Sequence, residues 1–266
     1  MKVESIEIKD ISGGSLKGNF EGIKHIKSLP YFSVVQSVYG YYEIGLDGED
    51  PYVTKEGDAF LAPANTIQHI VHHNGITGYM EAHWAFMNII INDIFAFEDV
   101  FDIPTLISAH YFQEVFQFIS TIRNDSSICQ KYAAAYQLTD ILISHSSMKE
   151  CDFDESVAFL KKYIDENYRK KITKEDLANV AICSVPNLYR LFNRHFHMSP
   201  HNYVNKIRLQ KAAVLLENNN YTVTEVSEAV GFDDPVYFSK LFKKSYQLSP
   251  KKYRELSKSL NSKDTK

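Results

Sequence analysis

The sequence predicts an α+β protein whose first half is antiparallel β and whose second half is all-α. Three observations carry this. Short runs rich in β-branched and aromatic residues, broken by glycine turns, fill roughly the first 95 positions. A helical period replaces them from about residue 108. Between Thr173 and Arg254 one local pattern of helices is then written twice. At 266 residues, 44% hydrophobic and 13% aromatic, the chain has material for two ordinary domains with packed cores.

In chain order, Tyr31–Gly40, Tyr41–Leu46, Asp58–Leu61, Ile67–His73 and Thr77–Ile91 read as strands. Gly13-Gly14, Asp47-Gly48, Glu56-Gly57 and Asn74-Gly75 read as breaks between them, with Asp47-Gly48 and Asn74-Gly75 as hairpin turns. Many short antiparallel strands suggest a sandwich or small barrel. The stretch Gly57-Asp58-Ala59-Phe60-Leu61-Ala62-Pro63, followed by His69, resembles the second motif of a cupin jelly roll.

A barrel of this size can hold one small ligand. Tyr39, Tyr41, Tyr42, His69, His83 and Trp84 are the candidate lining, because aromatic faces stack on sugars or apolar rings while polar tips orient them. Each alone is more often an ordinary core aromatic. His69, His72, His73 and His83 cluster in sequence, which raises a metal site as an alternative. The His-x-His of the first cupin motif is absent; the segment in its place is Tyr39-Gly40-Tyr41-Tyr42-Glu43. No metal and no cofactor is expected.

The next segment is helical. His110–Ile122 places Phe112, Val115, Phe116 and Ile119 on one side. Cys129–Ser146 is apolar over a wide arc through Tyr132, Ala135, Leu138, Ile141, Leu142 and His145. Packing on the barrel and a two-helix dimer interface both fit, and a homodimer is favoured. The acidic stretch Met148–Ser156 reads as the link to a second domain. The expected limits are a barrel domain at 1–107, a helical segment and linker at 108–150, a helical domain at 156–256 and a disordered polar tail at 257–266.

Within that helical domain the repeat keeps a constant spacing after its turn. Phe192, Ser199, Pro200 and Tyr203 recur as Phe242, Ser249, Pro250 and Tyr253, an offset of 50 (242 − 192). Before the turn the offset is 49 (226 − 177), so one copy has a single extra residue. Each copy is a short apolar segment, a tight break and a second helix. Val185, Leu188, Leu191 and Phe192 share one face of that helix in copy one; Pro235, Phe238, Leu241 and Phe242 do so in copy two. Ser184 and Asp234 are candidate N-caps, and Gly231 suits the turn. This is the pattern of a helix-turn-helix, whose second helix enters the major groove of double-stranded DNA.

The outer faces of those helices are the candidate DNA-binding residues: Pro186, Asn187, Tyr189, Arg190, Asn193 and Arg194 in copy one, and Val236, Tyr237, Ser239, Lys240, Lys243 and Lys244 in copy two. Any helix has a solvated polar face, but two basic faces in one register favour DNA. Ser199-Pro200 opens a helix of about 20 residues ending near Asn218-Asn219-Asn220. At roughly 30 Å it matches the spacing of successive major grooves.

Charge is divided in the same sense. From Ser156 on there are 20 Lys and Arg against 11 Asp and Glu; residues 1–155 hold 9 against 22, out of 29 and 33 in all. Three scattered cysteines imply neither a zinc site nor a disulfide framework. The start carries no signal core and no 18-residue apolar run exists, so a cytoplasmic protein with no membrane partner is expected. No Ser/His/Asp, Cys/His, P-loop or dinucleotide signature is present, and no enzyme is expected.

From Val157 to Leu256 the chain resembles the AraC/XylS family of bacterial transcription regulators. The resemblance rests on Gly231-Phe232, Pro235, Tyr237-Phe238-Ser239-Lys240-Leu241-Phe242-Lys243-Lys244, Ser249-Pro250 and Tyr253. It implies two helix-turn-helix subdomains bridged by one long helix, and a cupin-like sensor domain in front. The family's base-contacting positions fall on Pro186, Tyr189 and Arg190, and on Val236, Ser239 and Lys240. Ile182 departs from the pattern by occupying a turn position where the family usually has glycine. The expected function is sequence-specific regulation of transcription, activation rather than repression, under a small-molecule effector such as a sugar, with RNA polymerase as a further partner. The alternatives are a metal-dependent cupin enzyme fused to a DNA-binding module and a regulator without an effector.

Overall fold

A computed structural model describes residues 2–46, 50–93, 95–149, 155–196, 198–217 and 221–261. By contacts the chain separates into a unit spanning Lys2–Glu150 and a unit spanning Cys151–Thr265.

The first unit is β-rich: β1 (Ile6–Gly18), β2 (Lys24–Lys27), β3 (Phe32–Tyr39), β4 (Tyr41–Leu46), β5 (Tyr52–Val53), β6 (Ala59–Ala62), β7 (Gln68–His73), β8 (Met80–Ile91) and β9 (Phe95–Ala96). These are followed by a single helical turn α1 (Phe97–Val100), β10 (Phe101–Asp102) and β11 (Leu106–Ile107). Then come α2 (Phe112–Arg123), α3 (Ile128–Ser144) and β12 (Ser147–Met148). One sheet runs β1-β8-β3-β6-β11 with β9 beside β8, a second runs β2-β7-β4-β5, and β10 pairs with β12. All pairs are antiparallel, as expected, and the strands group into facing sheets that share a core. Val35, Phe60, Met80 and Ala82 of the first sheet pack with Tyr42, Ile44 and Ile70 of the second.

Two expected breaks are corrected. Gly13-Gly14 lies inside β1, not between strands: a Cβ on Gly14 would stand 2.5 Å from the Trp84 ring, so glycine here admits an indole against the strand. Asn74-Gly75 does not join a hairpin. The strands on either side, β7 and β8, belong to different sheets, and the segment forms a corner with Gly40, whose Cβ would meet the His73 carbonyl at 2.4 Å. The Asp47-Gly48 turn lies outside the described residues. Asp58 accepts from the Lys55 and Ala109 amides and so holds the turn before β6 in place.

The outer face of the first sheet is covered by α2 and α3. Val115, Ile119 and Ile122 of α2 are buried, as are Ala134, Ala135, Leu138, Thr139 and Leu142 of α3. The Thr139 hydroxyl bonds back to Ala135 O and touches Met87 Sδ on β8. The Ala135, Leu138 and Leu142 part of the α3 arc is therefore used within its own unit, while Tyr132, Ile141 and His145 are half-buried.

The second unit contains α4 (Glu155–Asn167), α5 (Lys174–Val180), α6 (Val185–Phe196), α7 (Pro200–Glu217), α8 (Val223–Ala229), α9 (Pro235–Tyr246) and α10 (Pro250–Asn261). The last helix continues past Leu256, the limit expected from the sequence. Most of the acidic link and residues 218–220 lie outside the described residues.

Candidate nucleic-acid interface

Copy one of the repeat is α5-turn-α6 and copy two is α8-turn-α9. Each first helix opens on a reciprocal cap. Thr173 Oγ1 accepts from Asp176 N while Asp176 accepts from Thr173 N; Thr222 and Glu225 repeat this 49 positions on (222 − 173). Each ends on the same pair of backbone bonds. Ile182 N donates to Asn179 O and Cys183 N to Ala178 O; Gly231 N donates to Glu228 O and Phe232 N to Ser227 O. The turn residue is left-handed in both, with φ +50° at Ile182 and +91° at Gly231.

The second helices are then anchored alike. Asp234 Oδ1 accepts from Val236 N at 2.8 Å, which makes it the expected N-cap, with Pro235 at the first helical position. Ser184 contributes its backbone carbonyl to Leu188 N. Leu188 and Phe192, and Phe238 and Phe242, are all fully buried. Phe192 meets Tyr203 edge-on at 5.7 Å, and Phe242 meets Tyr253 edge-on at 5.5 Å. Pro200 and Pro250 open the helices that carry those tyrosines, with Ser199 and Ser249 accepting from Asn202 N and Lys252 N.

With the apolar faces fixed inward, the opposite faces are exposed. Pro186, Asn187, Tyr189, Arg190, Asn193 and Arg194 are exposed on α6, and Val236, Tyr237, Lys240, Lys243 and Lys244 on α9. Ser239 is half-buried and its hydroxyl donates to Pro235 O, so it is less available than the others. Arg190 donates to Asn187 Oδ1, one turn back on the same face. A groove of about 660 Å³ beside α6 is lined by Asn187, Arg190, Asn193 and Arg194.

The bridging helix α7 spans 18 residues, about 27 Å. It buries Tyr203, Val204, Leu209, Ala212, Ala213 and Leu216 on more than one side, because both copies pack on it. Leu160, Ile164, Leu177, Ala181, Leu188 and Phe192 form one core with its first turns.

Residues 177–256 match the family described as a helix-turn-helix domain. The C-terminal unit is an AraC-type helix-turn-helix domain. Over 132 residues the chain is 33% identical to the lactose operon transcription activator of Staphylococcus xylosus, covering 49% of this chain and 47% of that one. Over 117 residues the chain is 30% identical to the HTH-type transcriptional activator RhaS of Salmonella arizonae, covering 43% and 42%. The chain thus matches about half, or less, of the length of these curated relatives. The solved structure of ToxT from Vibrio cholerae has the same overall fold, with a TM-score of 0.64 at 10% identity over 93% of this chain and 99% of that one. A second ToxT structure, bound to (E)-4-(8-methylnaphthalen-1-yl)but-3-enoic acid, matches at 0.62 and 10% identity over 94% and 100%.

Ahead of the AraC-type domain, the six candidate ligand residues do not all converge: Tyr42 and Trp84 share one cluster and the other four lie elsewhere. Tyr42 is buried in the shared core, edge-on to Phe60 and His72, and Trp84 packs on the same cluster. His83, its neighbour on β8, points to the other face and stacks on Phe116 of α2 at 5.0 Å. His69 is likewise on the face of β7 opposite Ile70. Tyr39 and Tyr41 are partly exposed, Tyr41 stacked on His73 at 4.6 Å.

The core instead holds polar groups that single residue types did not reveal. Both amide atoms of Gln68 and Nδ1 of His72 are buried without a hydrogen-bond partner among the described residues. His72 Nε2 lies 3.1 Å from His25 Nδ1. Burial, then the Lys27 charge, pushes His72 down to about 4 and His25 well below the usual range, so both rings are neutral at pH 7. The period-two run of Gln68, Ile70 and His72 toward the core was the available signal. Among the described residues no three His, Cys, Asp or Glu form a metal-binding group, and no helix is long and apolar enough to cross a membrane.

Proposed function

We propose that the protein is a cytoplasmic, sequence-specific DNA-binding regulator of transcription, acting as an activator under a small-molecule effector. The duplicated pair of capped helices, each with an exposed basic face, carries the reading. In it α6 and α9 lie in neighbouring major grooves. Arg190, freed from Asn187, forks onto a base; Asn187, Tyr189, Lys240 and Val236 complete the base contacts, and Arg194, Lys243 and Lys244 hold phosphates. The effector site is the β-rich unit, at the shared core around Tyr42, Trp84, Gln68 and His72. Support comes from the orphaned polar atoms there, from a relative named for a lactose operon, and from the ToxT structure with a bound organic acid. A homodimer and contact with RNA polymerase belong to the same reading, and catalysis does not.

Selection of bound sequences from a random DNA library tests it. The expected result is a paired site one helical turn apart. On that site Arg190→Ala costs about 1–3 kcal/mol of specific affinity, while Lys243→Ala lowers the salt slope by about 1 on any sequence. Absence of enrichment, or equal losses for Arg190→Ala on selected and random DNA, overturns it. Repeating the titration with candidate sugars and organic acids, with Trp84 fluorescence as the signal, tests the sensing half.

A further inference from the structure

Two helical readers on one spacer need a fixed phase as well as a fixed distance. One side chain ties the relevant parts together. Arg208, half-buried in the middle of α7, donates from Nε to Tyr168 O at 2.7 Å and from Nη2 to Lys170 O at 2.8 Å. Both carbonyls belong to the loop that follows α4 and leads into the first reader. The same guanidinium lies 5.6 Å from the centre of the Phe232 ring, in the turn of the second reader. Asp233 adds an opposing charge beside it. The two segments also touch directly: a Cβ on Gly231 would stand 2.6 Å from Arg169 O. One turn further along α7, Lys211 pairs with Asp165 at 2.8 Å and lies 5.8 Å from the Tyr168 ring.

Only two residues separate Phe232 from Pro235, where α9 begins. A shift of this turn against the 168–170 loop therefore moves the second reader relative to the first. The fork of a guanidinium suits two carbonyls at a fixed angle; an ammonium on a flexible stem does not reproduce it.

We propose that Arg208 is a positioning residue that sets the phase between α6 and α9, and so the spacing between the two half-sites that the domain accepts. The inference rests on the DNA-reading role proposed above. It makes Arg208 a determinant of specificity without contact to a base.

The test uses the full chain and a DNA library in which the selected half-sites are separated by spacers of varied length. Wild type is expected to enrich one spacer length. R208A is expected to accept at least three lengths and to lose about tenfold affinity on the best one, while its affinity for an isolated half-site stays within twofold. R208K keeps charge and stem and is expected to resemble R208A; it supplies the same reading where R208A does not fold. Unchanged spacer preference in both variants overturns the proposal, as does an equal loss on paired and isolated sites, which marks a purely structural role. Failure of wild type to enrich any paired site removes the DNA-reading role itself, and this inference with it.

Discussion

The turns of the two readers have the same shape and hold different residues. Both close with the same two backbone bonds and a left-handed residue. Copy two uses Gly231, and copy one uses Ile182, a β-branched residue for which φ of +50° is strained by about 1–2 kcal/mol. The surroundings explain the difference. A Cβ at Gly231 runs into the Arg169 backbone, whereas Ile182 is 94% exposed. Close approach, more than the left-handed angle, is what requires glycine; where the turn faces solvent the strain is tolerated.

That comparison yields tests in decreasing order of effect. The parts of the repeat that are equal should respond equally. Phe192→Ala and Phe242→Ala each remove a fully buried ring with an edge-on tyrosine, Tyr203 and Tyr253 respectively, and each should cost about 4 kcal/mol in urea unfolding of the chain. A difference above about 2 kcal/mol would mean that the cores are not equivalent. Gly231→Ala comes next. It adds both the left-handed penalty and contact with a backbone that has little room to yield, about 3 kcal/mol in all. A cost below 1 kcal/mol would show that the 168–170 loop gives way, and would weaken the account of the glycine.

The reciprocal change has the opposite sign. Ile182→Gly relieves strain and loses no burial, but glycine adds about 0.5–1 kcal/mol of backbone entropy to the unfolded chain. The net expectation is a gain of about 0.5–1 kcal/mol, read as a higher urea midpoint at unchanged slope. A loss of stability would mean that Ile182 has a contact that its exposure conceals.

How far the sequence could be read follows the same division. The helical repeat was legible because its information is local. Period, proline positions and the Asp234 cap lie within one or two turns of each other, and a second copy confirms the register. The left-handed turn at Ile182 was legible only as a departure from a family pattern. Arg208 was missed because its partners, 40 and 38 positions back along the chain, are backbone carbonyls, which no residue type marks. In the β-rich unit the strand runs were legible but the corners were not. Asn74-Gly75 has the composition of a hairpin turn, and only the pairing of β7 with β4 and of β8 with β3 reveals a change of sheet. The scattering of Tyr39, Tyr41, His69 and His83 has the same origin, since neighbours on a strand face opposite ways.

The smallest effect concerns the caps, where the copies match in form and differ in detail. Hydrogen bonds from Thr173 hold the Asp176 carboxyl below the usual range, chiefly the one from its hydroxyl; for Glu225 the backbone bond from Thr222 is the larger cause. Both groups are depressed in the folded state, so they contribute stability above their unfolded pKa that is lost as pH falls through the folded one. Carboxyl NMR titration should place each below the ordinary value for its side chain. Replacing each threonine with valine removes the hydroxyl and keeps the backbone N–H. Thr173→Val should therefore return Asp176 most of the way to its ordinary value, and Thr222→Val should leave Glu225 largely depressed. Equal recovery in both would mean that the two caps are held in the same way, and that the copies differ only in their turns.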